Sequence, residues 1–154
     1  MLTIPLSASS EYLLIAELYD FFPNGYKIIR IEDITSIKHG ESEKFVEEII
    51  KKENIQIIYN LSSRDLTSWH AIFNWLALED RPIIIESEMF ENPKFYIGKI
   101  INIKTGSIEL LQFDGAGVWY KKSTTILYKK ISSITFNDKY SLLMSKYARN
   151  KDKK

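Results

Sequence analysis

The chain has 154 residues, enough for one compact domain or two small fused ones, and 45% of them are hydrophobic and 27% charged. A formal net charge of +1 means that no long-range field of either sign dominates its surface. The absence of cysteine excludes disulfides, thiolate catalysis and cysteine-ligated zinc; with no basic leader at the start and no apolar run near the roughly 20 residues that span a bilayer, a soluble cytoplasmic protein is expected.

Taken in order, residues 1–6 predict an edge strand that ends in the polar turn Ser7-Ala8-Ser9-Ser10. Residues 12–18 predict a second strand, Pro23-Asn24-Gly25 a turn, and residues 26–31 a third strand followed by a short segment at 34–37. Ser42 caps a predicted helix through Lys52, with Phe45, Val46, Ile49 and Ile50 on one face and glutamates early, lysines late, as the helix dipole favours. Residues 55–59 predict a short strand, and the loop Ser62-Ser63-Arg64-Asp65 supplies the cap of a helix over 66–78. Leu66, Trp69, Phe73 and Leu76 form its apolar stripe, widened by Ile72 and Trp75, so that this helix is expected between two layers.

Pro82 opens a strand over 82–88, a position where the missing N–H is tolerated. From Phe95 to Phe136 the chain is dense in Ile, Tyr, Phe, Val and Thr, whose branched or aromatic side chains suit a pleated sheet. Lys104-Thr105-Gly106, Asp114-Gly115-Ala116-Gly117, Lys121-Lys122-Ser123 and Lys129-Lys130 divide it into strands at 95–103, 107–113, 123–128 and 131–136. Ile108 and Leu110 share one face while Leu111 and Phe113 take the other, and a strand that changes face is bent, as in a small barrel. A last helix over 138–148 is expected to bury Leu143, Tyr147 and either Tyr140 or Met144, before a basic tail at 151–154.

Residues 29–37 align with residues 126–134, with Ile29/Ile126, Ile34/Ile131, Ser36/Ser133 and Ile37/Ile134 identical. The helix faces that follow also correspond, Phe45 with Leu142, Val46 with Leu143 and Ile50 with Tyr147. A helix followed by five short bent strands, with Gly98 late in the second and Ile131-Ser132-Ser133-Ile134 as the closing strand, resembles the Sm-like small barrel over residues 66–136. Residues 11–52 resemble an incomplete second copy. The chain is also similar to a group of uncharacterised bacterial proteins with an IIRIEDI segment and a later FDGAGVWY hairpin. The resemblance implies an α+β fold of tandem Sm-like/SH3-like antiparallel barrel modules: residues 1–60 a partial module, 61–150 a helix, a five-stranded barrel and a helix, and 151–154 a tail. Where RNA-gripping Sm-like proteins carry an Asp, an Asn and an Arg-Gly pair, this chain has Lys104, Ile108 and Leu127-Tyr128 or Lys129-Lys130. The resemblance therefore implies architecture and not base recognition.

Candidate chemistry is sparse. His39 and His70 have no partner at metal-ligand spacing, and Asp114-Gly-Ala-Gly117 lacks the third glycine and the helix of a dinucleotide loop. Glu86, Glu88 and Glu91 read as a solvated strand end; Asp33 and Asp65 have no identifiable acid–base partner. Trp119-Tyr120-Lys121-Lys122 interleaves aromatics with cations and is the candidate interaction surface. The expectation is a non-enzymatic scaffold or protein-interaction module with no cofactor, no metal and no membrane partner. Homo-oligomerisation is left open, and a nucleic-acid-binding Sm-like protein is the alternative. On this reading Trp75 is a core residue: Trp75→Ala should cost about 3–5 kcal/mol in denaturant unfolding through the cavity it leaves.

Overall fold

The computed structural model describes residues 2–57, 61, 64–88 and 91–150. The described residues form eight strands: β1 (Leu2–Ala8), β2 (Tyr12–Tyr19), β3 (Phe22–Arg30), β4 (Ile83–Ser87), β5 (Lys94–Ile103), β6 (Ser107–Gln112), β7 (Thr124–Leu127) and β8 (Ser133–Phe136). Three helices accompany them, α1 (Glu41–Lys52), α2 (Trp69–Leu78) and α3 (Lys139–Tyr147). Among the described residues no helix is long and apolar enough to cross a membrane. Residues 34–37 form no strand, and neither do 55–57. The end of the strand expected at 55–59, the cap expected at Ser62-Ser63 and the tail at 151–154 lie outside the described residues. The N-cap of α2 is Ser68, whose hydroxyl accepts from the Ala71 N–H at 3.1 Å, and the N-cap of α1 is Gly40 rather than Ser42.

All eight strands belong to one antiparallel sheet in the order β1-β2-β3-β8-β4-β5-β6-β7. This corrects the expected fold, because the sheet is open, with β1 and β7 as its two edges, and does not close into a small barrel. The reason lies in β8. One of its edges pairs with β4, Ile85 opposite Ile134, and the other is occupied by β3, Ile28 opposite Ile134. The last strand therefore joins the N-terminal meander to the rest of the sheet instead of sealing a ring.

The tandem repeat is corrected as well. Residues 31–33 and 128–130 each form a single 3-10 turn after a strand, so the likeness is real over one turn. Beyond it the copies part: Ile134 lies fully buried in β8, whereas its counterpart Ile37 is exposed outside any strand. Ile50 is buried on α1 while Tyr147 is exposed on α3. The two turns are tied together directly, since Arg30 Nη2 donates to the Ile131 carbonyl at 2.7 Å.

One face of the sheet carries the main core. Tyr12, Leu14, Ala16, Leu18, Tyr26, Ile28, Ile83, Ile85, Ile108, Leu110, Ile126, Ile134 and Phe136 all pack with Trp69, Ile72, Phe73, Trp75 and Leu76 of α2. On the opposite face Ile84, Ile97 and Phe113 form a smaller cluster covered by Trp119, Met144 and Ala148. Strand β5 changes partner along its length. Residues 94–98 pair with β4 and residues 98–103 with β6, and Gly98 stands at the change. A Cβ at Gly98 would lie 2.1 Å from the Leu111 carbonyl oxygen, so the close crossing of β5 and β6 requires glycine. Gly98→Ala should lower unfolding free energy by at least about 3 kcal/mol or prevent folding, whereas Gly106→Ala, where a Cβ meets nothing within 4 Å, should be near neutral in the same urea titration.

Candidate interaction surface

Helix α3 is fixed to the sheet by its polar end. Asp138 caps it, accepting from the Ser141 N–H at 2.8 Å, and the Ser141 hydroxyl also donates to the Asp138 carboxylate. Ser141 is fully buried, with no exposed area, so this hydrogen-bonded pair decides which side of the helix faces inward. Met144 then turns to the smaller cluster and Ala148 follows it. At the far end the Arg149 N–H donates to the Gly117 carbonyl at 2.8 Å and the Trp119 N–H to the Arg149 carbonyl at 3.1 Å. The opposite side carries Tyr140, Leu143 and Tyr147, which are 56%, 58% and 72% exposed. The expected burial of Leu143 and Tyr147 is thus reversed.

The tip of the β2–β3 hairpin lies beside the start of this stripe. The turn falls at Asp20-Phe21, not at Pro23-Asn24-Gly25, and both turn residues have positive φ, 45° and 71°. Such a turn matches the strand twist, but a phenylalanine in the left-handed region is strained. Pro23-Asn24-Gly25 instead belongs to β3, where Asn24 and Gly25 bulge opposite Glu17. Gly25 has φ of 98°, and a Cβ there would lie 2.8 Å from the Asp138 nitrogen, so β3 and the α3 N-terminus meet at backbone contact. That contact brings Tyr19, Asp20, Phe22 and Asn24 together with Lys139 and Tyr140 around one open groove of about 550 Å³. Tyr19 and Phe22 are both exposed. Hairpin tip and helix face thus form a continuous apolar stripe from Tyr19 and Phe22 to Tyr147.

The residues singled out in the sequence are divided by the fold. Trp119 is half-buried, edge-on to Phe113 at 5.1 Å, and belongs to the smaller core. Tyr120, Lys121 and Lys122 are exposed beyond it. The bridge between Val118 and Arg149 brings this segment to the C-terminal end of α3, next to the end of the apolar stripe. Lys121, Lys122, Lys139, Lys146 and Arg149 form no ion pair among the described residues; Lys146 lies over the Tyr147 ring at 5.4 Å. The stripe on α3 escaped the sequence because a buried serine, not an apolar residue, sets the inward face.

Other candidates are committed to structural bonds. Asp114 accepts from the Ala116 and Val118 N–H groups, which makes its Gly-Ala-Gly segment a turn. His39 pairs with Glu47 at 2.8 Å on the surface, and His70 Nδ1 lies 3.2 Å from the Lys104 carbonyl. Among the described residues no three His, Asp or Glu side chains converge on a metal-sized site. A second open groove of about 460 Å³ runs past Arg64, Asp65, Ser68, His70 and Asn74, but Asp65 is taken by Thr67 and Ser68 by the helix cap. Glu86 is not the solvated strand end expected of it. Its carboxylate accepts from Lys27 Nζ at 2.9 Å and from the Ser133 hydroxyl at 2.7 Å, and Lys27 also reaches Glu17 at 3.5 Å. Four adjacent strands, β2, β3, β8 and β4, are linked by this network.

The chain matches no protein-family model, no curated protein and no solved structure.

Burial pushes the Glu86 carboxyl toward higher pKa, but the Lys27 and Ser133 hydrogen bonds outweigh it and hold the group below the usual carboxylate range. A depressed folded value means stability that is present at neutral pH and lost as pH falls through it. For Lys27 burial again opposes the charge and the Glu86 hydrogen bond prevails, raising its value, so its share persists until strongly alkaline pH. Glu86→Gln should therefore be about 1.5–3 kcal/mol less stable than the parent at pH 7. The gap should close as both proteins are unfolded in urea at pH values falling from about 5 to 3.

Proposed function

We propose that this chain is a non-enzymatic protein-interaction module that engages its partner through the stripe formed by Tyr19, Phe22, Tyr140, Leu143 and Tyr147. The observation that carries the reading is the exposure of three large side chains on one face of α3, continuous with two more at the hairpin tip. Single exposed apolar residues are ordinary, whereas a contiguous patch rimmed by polar groups marks an interface. Tyrosines supply large contact area at low conformational cost, which suits such a surface. The strained Phe21 turn supports the same reading, since a glycine there would relieve the backbone and the chain keeps an aromatic tip instead.

The alternative, nucleic-acid binding, no longer has the small-barrel architecture behind it. What favours it is the exposed group Tyr120, Lys121 and Lys122 near Arg149, which suits weak, salt-sensitive contact with a single strand.

A photo-crosslinking residue placed at Leu143 in cells should give discrete protein adducts that are absent when it is placed at Ile101, an exposed position on β5. The same adducts at both positions, or none at Leu143, would sink the reading.

A further inference from the structure

The charges beside the stripe restrict what can cover it. On α3, Lys139 and Lys146 stand at i and i+7, so they form a basic row parallel to the apolar row Tyr140, Leu143 and Tyr147. No acidic residue lies on the helix, and neither lysine forms an ion pair among the described residues. Just beyond the C-terminal end of α3 lies a further cation, Arg149, exposed and without an ion pair among the described residues. An apolar row beside a basic row is one half of a helix-on-helix contact, and its complement is an apolar row beside an acidic one.

We infer that the occupant is an amphipathic helix of another protein, bearing Asp or Glu alongside its apolar anchors; this rests on the reading of the stripe as an interaction surface. A second copy of the chain fits less well. Packing α3 against its own copy about a two-fold axis would set Lys139 and Lys146 against themselves, with no acid on the helix to offset them. The acidic helix of this chain, α1, has an exposed Phe45, but Glu41, Glu47 and Glu48 are already taken by Lys44, His39 and Lys52. A nucleic-acid strand is disfavoured because Leu143, which offers no stacking face, stands in the middle of the stripe and Asp20 lines its hairpin end. The span from Tyr140 to Tyr147 is about 10 Å, so a partner helix of about four turns covers the stripe and the groove together.

The test uses the full chain and two synthetic helical peptides of about sixteen residues, identical in their leucine row but carrying glutamates or lysines beside it. Binding is followed by fluorescence anisotropy of the labelled peptides at physiological salt. The glutamate peptide should bind about tenfold more tightly, the size expected of two or three exposed ion pairs, and the double variant K139E/K146E should reverse the preference. Leu143→Asp, at an exposed position, should abolish binding of both while leaving the circular dichroism spectrum and unfolding midpoint unchanged. Equal affinity for the two peptides, or binding of neither, overturns the inference. So does displacement of the glutamate peptide by a single-stranded oligonucleotide, or self-association in sedimentation that Leu143→Asp disperses. Adducts specific to position 143 without a charge preference would leave the module reading standing and remove this one alone.

Discussion

Eight strands are folded against one helix of ten residues. Trp69 of α2 meets Tyr12 of β2 edge-on at 4.6 Å, Phe73 stacks on Tyr128 after β7 at 5.5 Å, and Trp75 meets Phe136 of β8 at 5.4 Å. Three aromatic side chains on one helix thus touch both wings and the centre of the sheet. Each such ring buries a large apolar area, and the contacts are spread over residues that no local segment brings together. The close approach of β5 and β6 at Gly98 belongs to the same assembly, since Ile108, Leu110 and Ile126 of the strands beyond it share one core with α2. Trp75 is held further by its indole N–H, which donates to the Asp65 carbonyl at 3.0 Å, and by Arg64 over its ring at 5.3 Å.

The reverse face is organised by charge. Lys27, Glu86, Glu17 and Ser133 lie across β2, β3, β8 and β4 where neighbouring positions are apolar, and the side chains of the Lys27–Glu86 pair are only 15% and 20% exposed. A buried ion pair adds little net stability compared with a well-packed apolar pair, yet it is costly to break. Its effect here is on register. A slip of one residue in β3 or β8 would point Lys27 or Ser133 into the α2 core and leave Glu86 without partners. Shape selects the helix side of the sheet, and charge selects the alignment of the strands that meet at its centre.

Much of the element pattern was legible in the sequence. Dense β-branched and aromatic runs with turn residues between them mark the strands, and the apolar stripe marks α2 as a buried helix; its place between two layers is not seen, since α2 packs on one face of the sheet while His70, Asn74 and Leu78 stay exposed. What was not legible is which edges meet. The segments ending at Ile37 and Ile134 look alike, and nothing in either says that one is exposed while the other joins two half-sheets. Pro23-Asn24-Gly25 carries the composition of a turn but serves a bulge, because the backbone of Asp138 approaches there. Of the candidate surface, the alternation of aromatics and cations points to Tyr120, Lys121 and Lys122, which the fold leaves exposed. The same pattern includes Trp119, but its ring packs on Phe113. The α3 stripe was missed because Ser141 and Asp138 satisfy each other in the interior, a pairing that a hydrophobic pattern does not register.

The place of β8 also sets the order in which the molecule can assemble. The hairpins β1-β2-β3 and β5-β6 close over short loops, so they are available early during synthesis. Strand β8 is the last of the eight to be made, and both β3 and β4 wait for it. Until it arrives, the N-terminal meander exposes β3 as an open edge next to a half-covered apolar face, the condition in which chains pair wrongly with their neighbours. Pro5 and the break in register beside it blunt the other edge, at β1, throughout that interval. The N-terminal meander is therefore vulnerable at its β3 edge for as long as the ribosome takes to travel from β3 to β8, and β4 waits with its own edge open for the last part of that time.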